Sequence, residues 1–108
     1  MEPSASCTSK DGKRIGLNKN RWFHIVESHN YMVGLQQLVL ETVTNPDYIV
    51  RGRGKEKLAI KFFRATPIGA KYVVAVYVED DHDGFIVTAF ITSELEKVLK
   101  RGVLWRRP

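Results

Sequence analysis

Apolar positions change their rhythm midway along the chain. In the first half they recur at helical spacing, and Trp22, Ile25, Val26 and His29 fall at i, i+3, i+4 and i+7. Asn18 precedes this stripe and can accept an amide hydrogen from the first turn as an N-cap. Leu17 and Trp22 are placed to form a hydrophobic staple, while Arg21 stands where a capping box would need Glu or Gln. A break at residues 31–34 leads into a second helix over residues 33–43. There Leu35, Leu38, Val39 and Thr42 share a face that Leu40 and Val43 widen. Asn45-Pro46 ends it, because the residue before proline avoids the helical region and proline donates no hydrogen bond.

From Asp47 onward the pattern is that of strands. Residues 48–50 form a short one, and Gly52 and Gly54 mark a basic turn. Residues 58–64 alternate, with Leu58, Ile60 and Phe62 on one side and Lys61 on the other. Residues 72–78 and 85–92 are nearly continuous apolar runs rich in β-branched and aromatic side chains, as in strands covered on both faces. The short link between them fits an antiparallel hairpin. Ser93 can cap a last helix over residues 94–100. The pattern predicts an α+β fold, with two N-terminal helices packed on a roughly four-stranded antiparallel sheet and a short C-terminal helix. Residues 1–13, poor in large apolar side chains, are expected to be a flexible leader. Residues 14–100 form the single domain, and residues 101–108 a basic tail holding Trp105.

Composition narrows the class. The chain has 108 residues, 44% hydrophobic and 27% charged, with a net charge of +5. That is the profile of one globular domain with its own core. One cysteine excludes an internal disulfide, and no Cys/His spacing fits zinc, so no metal is expected. No apolar run approaches a membrane span, and the first residues lack the order of a signal peptide. The expected location is therefore cytoplasmic, without a membrane partner. No phosphate loop, dinucleotide fingerprint or serine-hydrolase motif is present, and no cofactor is expected. The charge is unevenly spread. Residues 79–83 contribute −4, leaving +9 on the rest, mostly in residues 51–64 and 97–107.

Three groups of residues are candidates for chemistry. His24 and His29 lie five apart, about 140° around a helix, which excludes an i, i+4 metal pair. Either imidazole can act as acid or base near neutral pH, and either can equally be a satisfied structural side chain. His29 lies on the apolar stripe, whereas His24 lies on the other side near Arg21. Arg51, Arg53, Lys55, Lys57, Lys61 and Arg64 form a basic run that fits a phosphate-contacting strip or the guarded edge of a sheet. Thr88 and Thr92 share a face with Phe90, as positioning hydroxyls or as ordinary strand residues. His82 among Asp80, Asp81 and Asp83 matches no calcium loop and reads as a solvated hairpin tip.

Arg21-Trp22-Phe23-His24-Ile25 with His29, then Leu40-Glu41-Thr42-Val43, Asn45-Pro46-Asp47-Tyr48-Ile49 and Ile86-Val87-Thr88-Ala89-Phe90, together resemble a known family. They are similar to small phage-type domains of the barnase–EndoU–colicin–RelE superfamily and related domains of unknown function. The resemblance spans roughly residues 15–94. It implies a metal-independent endoribonuclease or toxin-like RNA-processing domain. In such a domain a base takes the ribose 2′-hydroxyl proton, that oxygen attacks phosphorus, and cations hold the developing charge. By motif position, His24, His29 and Thr88 would be catalytic. Arg51, Arg53, Lys61 and Arg64 are the candidate phosphate contacts, on charge and strand placement. RNA is the implied partner, with a cognate antitoxin or immunity protein as a second. Two departures stand out: Asn30-Tyr31 replaces Pro-Glu after His29, and Phe90 stands where Tyr is frequent. The alternative is a non-catalytic nucleic-acid-binding or protein-interaction module of the same shape.

Overall fold

The computed structural model describes residues 5–108. Its elements in chain order are strands β1 (Ala5–Thr8) and β2 (Arg14–Leu17), helix α1 (Lys19–Ser28), a 3₁₀ turn (Asn30–Met32) and helix α2 (Gln36–Thr44). There follow β3 (Tyr48–Arg51), β4 (Glu56–Phe63), β5 (Lys71–Glu79), β6 (Asp83–Thr92), helix α3 (Leu95–Leu99) and β7 (Val103–Arg106). No helix among the described residues is long and apolar enough to cross a membrane.

The α+β class stands, but the sheet does not have four antiparallel strands. It has seven, in the order β1-β2-β6-β5-β4-β3-β7, and it is mixed, because β2 runs parallel to β6. Two of the added strands come from segments expected to be a leader and a tail. Residues 5–8 pair with β2, and Val103–Arg106 pairs with β3; residues 1–4 of the expected leader lie outside the described residues. The third, β2 at Arg14–Leu17, lies just before the Asn18 cap of α1. Each of these strands has four residues. Strands so short carry little periodicity of their own and form because a neighbour offers a ladder.

Local chemistry accounts for the elements that sequence reading anticipates. The Asn18 side chain accepts a hydrogen bond from the Arg21 amide at 2.7 Å, capping α1. α2 starts at Gln36, after Gly34 at φ 79°, and ends at Asn45 before Pro46. Ser93 is not the cap of α3. The Thr92 hydroxyl accepts the Glu94 amide hydrogen at 3.0 Å instead.

The central strands β5 and β6 bury both faces, as their unbroken apolar texture requires. Val73, Ala75 and Tyr77 face α1 and α2, with Ile15, Leu17, Ile25, Met32, Val39 and Val43. Val74 and Val76 face the other way, with Val50, Leu58, Ile60 and Val98 of α3. Full burial of each such side chain is worth about 1.5–3 kcal/mol. Gly84 is needed where β6 leaves the hairpin, since a Cβ there would sit 1.8 Å from the Val78 carbonyl oxygen.

The sheet curls around the helices. Lys10, in the turn after β1, places its ammonium 4.7 Å from the centroid of the Trp105 ring on β7. The two edge strands of the ladder are thereby brought within reach of each other. The same turn crosses the ends of β4 and β5, where Ser9 is buried and its hydroxyl donates to the Glu79 carboxylate.

Candidate nucleic-acid interface

Of the residues named for catalysis, His24 lies apart, whereas His29 reaches through Phe90 the strand that carries Thr88. His24 is exposed on α1, with Nδ1 3.3 Å from the Glu27 carboxylate on the same helix. His29 caps the C-terminus of α1, its amide donating to the Ile25 carbonyl at 2.8 Å. Its ring lies 5.6 Å from that of Tyr31 and 6.1 Å from that of Phe90. The Tyr31 hydroxyl accepts the Ile91 amide hydrogen at 3.3 Å and lies 3.3 Å from His29 Nδ1. A hydroxyl that accepts from an amide is free to donate to a neutral imidazole. His29 and Tyr31 thus pin the 3₁₀ turn to a stretch of β6 that no strand of the described residues covers, because pairing with β2 ends at Phe85. Thr88 stands opposite Val76, on the face covered by α3. His24 and His29 belong to the helix that packs on the other face. The sheet therefore lies between Thr88 and His24.

The basic residues divide in a different way. Lys57 is committed to ion pairs, 2.8 Å from Glu79 and 3.7 Å from Asp11. Lys61 lies opposite Val73 on the helix side of the sheet. It lines a recess at the end of α2 with Lys10, Glu41, Trp105 and Arg107. Arg64 is exposed past the far end of β4, seven residues from Lys57, a reach of roughly 23 Å at strand spacing. These two do not join Arg51 and Arg53.

Arg51 and Arg53 gain other neighbours instead. β7 runs beside β3, with Val103 opposite Val50, and the Arg51 amide donates to the Gly102 carbonyl at 2.9 Å. Lys100 and Arg101, which end α3 and lead into Gly102, are thereby brought to the end of β3 at Arg51, two residues before Arg53. Gly102 makes the turn possible, holding φ at 116°. Arg51, Arg53, Lys100 and Arg101 are all exposed, and among the described residues none is within ion-pair distance of a carboxylate. The cations of residues 51–53 and 100–101 form one surface only because β3 and β7 pair.

A second basic feature escapes sequence reading. Where the parallel β2–β6 ladder ends and the chain turns from β2 into α1, a cleft of about 220 Å³ opens. Arg14 enters it from β2, Arg21 from the first turn of α1, and Phe85 from β6, with Asp83 also on its wall. The sequence held one signal: Arg21 occupies a first-turn position where an acidic residue favours the helix dipole, so its presence asks for another reason.

Burial pushes the Cys7 thiol above its ordinary pKa, and a hydrogen bond with Thr44 only partly offsets this, so the thiol is a core side chain. Among the described residues no group of three His, Cys, Asp or Glu side chains is arranged to hold a metal. No family model, no curated protein and no solved structure matches this chain.

Proposed function

We propose that this protein binds RNA through the surface of Arg51, Arg53, Lys100 and Arg101, as a binding module rather than a nuclease. The observation that carries the reading is the approach of two sequence-distant basic runs through the β3–β7 ladder, with none of the four cations in an ion pair among the described residues and Glu56 the carboxylate in the same turn. Unpaired guanidinium and ammonium groups at that density repel one another, and a phosphate backbone relieves the repulsion while releasing its counterions. Cleavage would need an acid–base group and a charge-stabilising group on one reacting phosphate. His24 and Thr88 lie on opposite faces of the sheet, and the His29 ring is packed between Tyr31 and Phe90, so the reading rests on binding.

The test is fluorescence anisotropy with a labelled single-stranded RNA across a salt series. Four phosphate contacts predict a log–log salt slope of about −3. The variant R51E/R101E is expected to bind at least tenfold more weakly, with a shallower slope. Equal binding by wild type and variant would overturn the assignment. Incubation of the same RNA in EDTA is expected to leave it intact. Cleavage that disappears in His24→Ala would restore the nuclease reading.

A further inference from the structure

The cleft between β2, β6 and α1 has no role in the surface just described, which lies at the other side of the sheet. It is placed where the only parallel pair in an otherwise antiparallel sheet comes apart among the described residues. Pairing stops at Gly16 opposite Phe85, yet β6 runs on to Thr92. The cleft runs along this short ladder, from Arg14 and Asp83 at its start to Gly16 and Phe85 at its end, and the first turn of α1 closes it with Arg21.

Its wall chemistry is specific. Arg14 and Arg21 come from different elements, and among the described residues neither has a carboxylate within ion-pair distance. The Asn18 side chain is already engaged by the Arg21 amide, which holds the start of α1, and with it the Arg21 backbone, in place. Phe85 keeps 47% of its surface exposed although it stands on a strand, so its ring is available at the cleft rim. Paired guanidinium forks match phosphate oxygens, and an exposed aromatic ring accepts a stacked base. Two further observations limit the ligand. The volume, about 220 Å³, is below the range of sites that enclose a whole drug-sized molecule, so it takes a phosphate and the atoms next to it while a base lies outside on Phe85. Asp83 brings a negative charge to the same wall and weighs against a triphosphate.

From this geometry we infer that the cleft is a binding site for a nucleoside monophosphate. The phosphate is held by Arg14 and Arg21 and the base stacks on Phe85. The site is independent of the RNA-binding reading.

The experiment is a titration of the isotope-labelled full chain, followed by amide chemical shifts, with adenosine 5′-monophosphate, inorganic phosphate and adenosine as probes. The monophosphate is expected to give saturable shifts at Arg21, Gly84, Phe85 and Ile86, with phosphate weaker at the same amides and adenosine weakest. R14Q/R21Q is expected to lose saturation with both phosphate-bearing probes. F85L is expected to weaken the monophosphate at least threefold and leave inorganic phosphate unchanged, and D83N to tighten phosphate. D83N keeps the proposal testable if the double variant does not fold. Shifts that map to Arg51 and Arg101 instead, unchanged affinity in R14Q/R21Q, or no gain in D83N would overturn it. Because R51E/R101E leaves the cleft intact, its monophosphate binding should equal that of wild type, and a loss there would also count against a separate site.

Discussion

Two charged regions at the ends of β4 and β5 behave in opposite ways. At the acidic corner Glu79, Asp11 and Lys57 are held in ion pairs. The Glu79 carboxylate, whose side chain is 6% exposed, receives the Ser9 hydroxyl and the Lys57 ammonium. Lys57 also faces Asp11, and Lys13 donates to the Asp80 carbonyl at 2.9 Å. Across the β3–β4 turn, Arg51, Arg53, Lys100 and Arg101 have no carboxylate within ion-pair distance among the described residues. Carboxylates therefore close the fold at one corner, while at the other Glu56 and Glu96 stand nearby without forming an ion pair among the described residues. Charges paired across long sequence separations stabilise a tertiary arrangement, while unpaired charges of one sign on a surface are left for something outside the molecule. Composition shows the excess of positive charge, but only this contrast shows which part of it is free.

The contrast can be broken at either end. The largest effect is expected at Lys57. Lys57→Met leaves Glu79 buried with only the Ser9 hydroxyl, and stability in urea unfolding is expected to fall by about 2–3 kcal/mol. A loss no larger than that of an ordinary surface substitution would mean that the corner is not a structural pair.

A second prediction concerns pH. Burial first, and then the negative charges of Glu79, Asp11 and Cys7, push the Tyr77 hydroxyl well above its ordinary pKa. The folded protein keeps this proton at pH values where the unfolded chain has lost it. The stabilisation is therefore full below the ordinary tyrosine value near 10 and erodes above it, by about 1.4 kcal/mol per pH unit. Thermal unfolding measured across the alkaline range should show this decline in wild type and a flatter profile in Tyr77→Phe. Equal slopes would disconnect Tyr77 from the acidic corner.

The smallest effect belongs to the basic edge. R51E/R101E removes no ion pair and is expected to change folding stability by no more than about 0.5 kcal/mol while weakening RNA binding. A large loss of stability would show that these cations serve the fold after all, and the distinction between the two corners would fail.

How far the chain is legible from its residues follows from the range of the forces involved. The Asn18 cap, the Asn45-Pro46 stop and the apolar runs of β5 and β6 are local or self-sufficient, and they are found where the pattern places them. β1 and β7 were hidden because Ala5–Thr8 is a short, mostly polar segment and Val103–Arg106 lies among cations. Each becomes a strand only when β2 or β3 supplies the hydrogen-bonding edge. The site residues divide in the same way. That Arg51 and Arg53 are basic and turn-borne is visible locally, but their joining to Lys100 and Arg101 is not. The separation of Thr88 from His24 is equally invisible, because strand alternation fixes which residues share a face and not which face the helix takes.

By itself, the sequence determined the start of α1 at its Asn18 cap, the end of α2 at Asn45-Pro46, the two central strands buried on both faces, and the presence of concentrated positive charge. These depend on side-chain volume, backbone preference and charge within a few residues. The tertiary structure alone decided that the sheet has seven strands with one parallel pair, that Ser9 meets Glu79 across 70 residues, and that two basic runs become one surface beside a separate cleft. Such pairings depend on which edges remain open once the core has closed, and no local pattern carries that information.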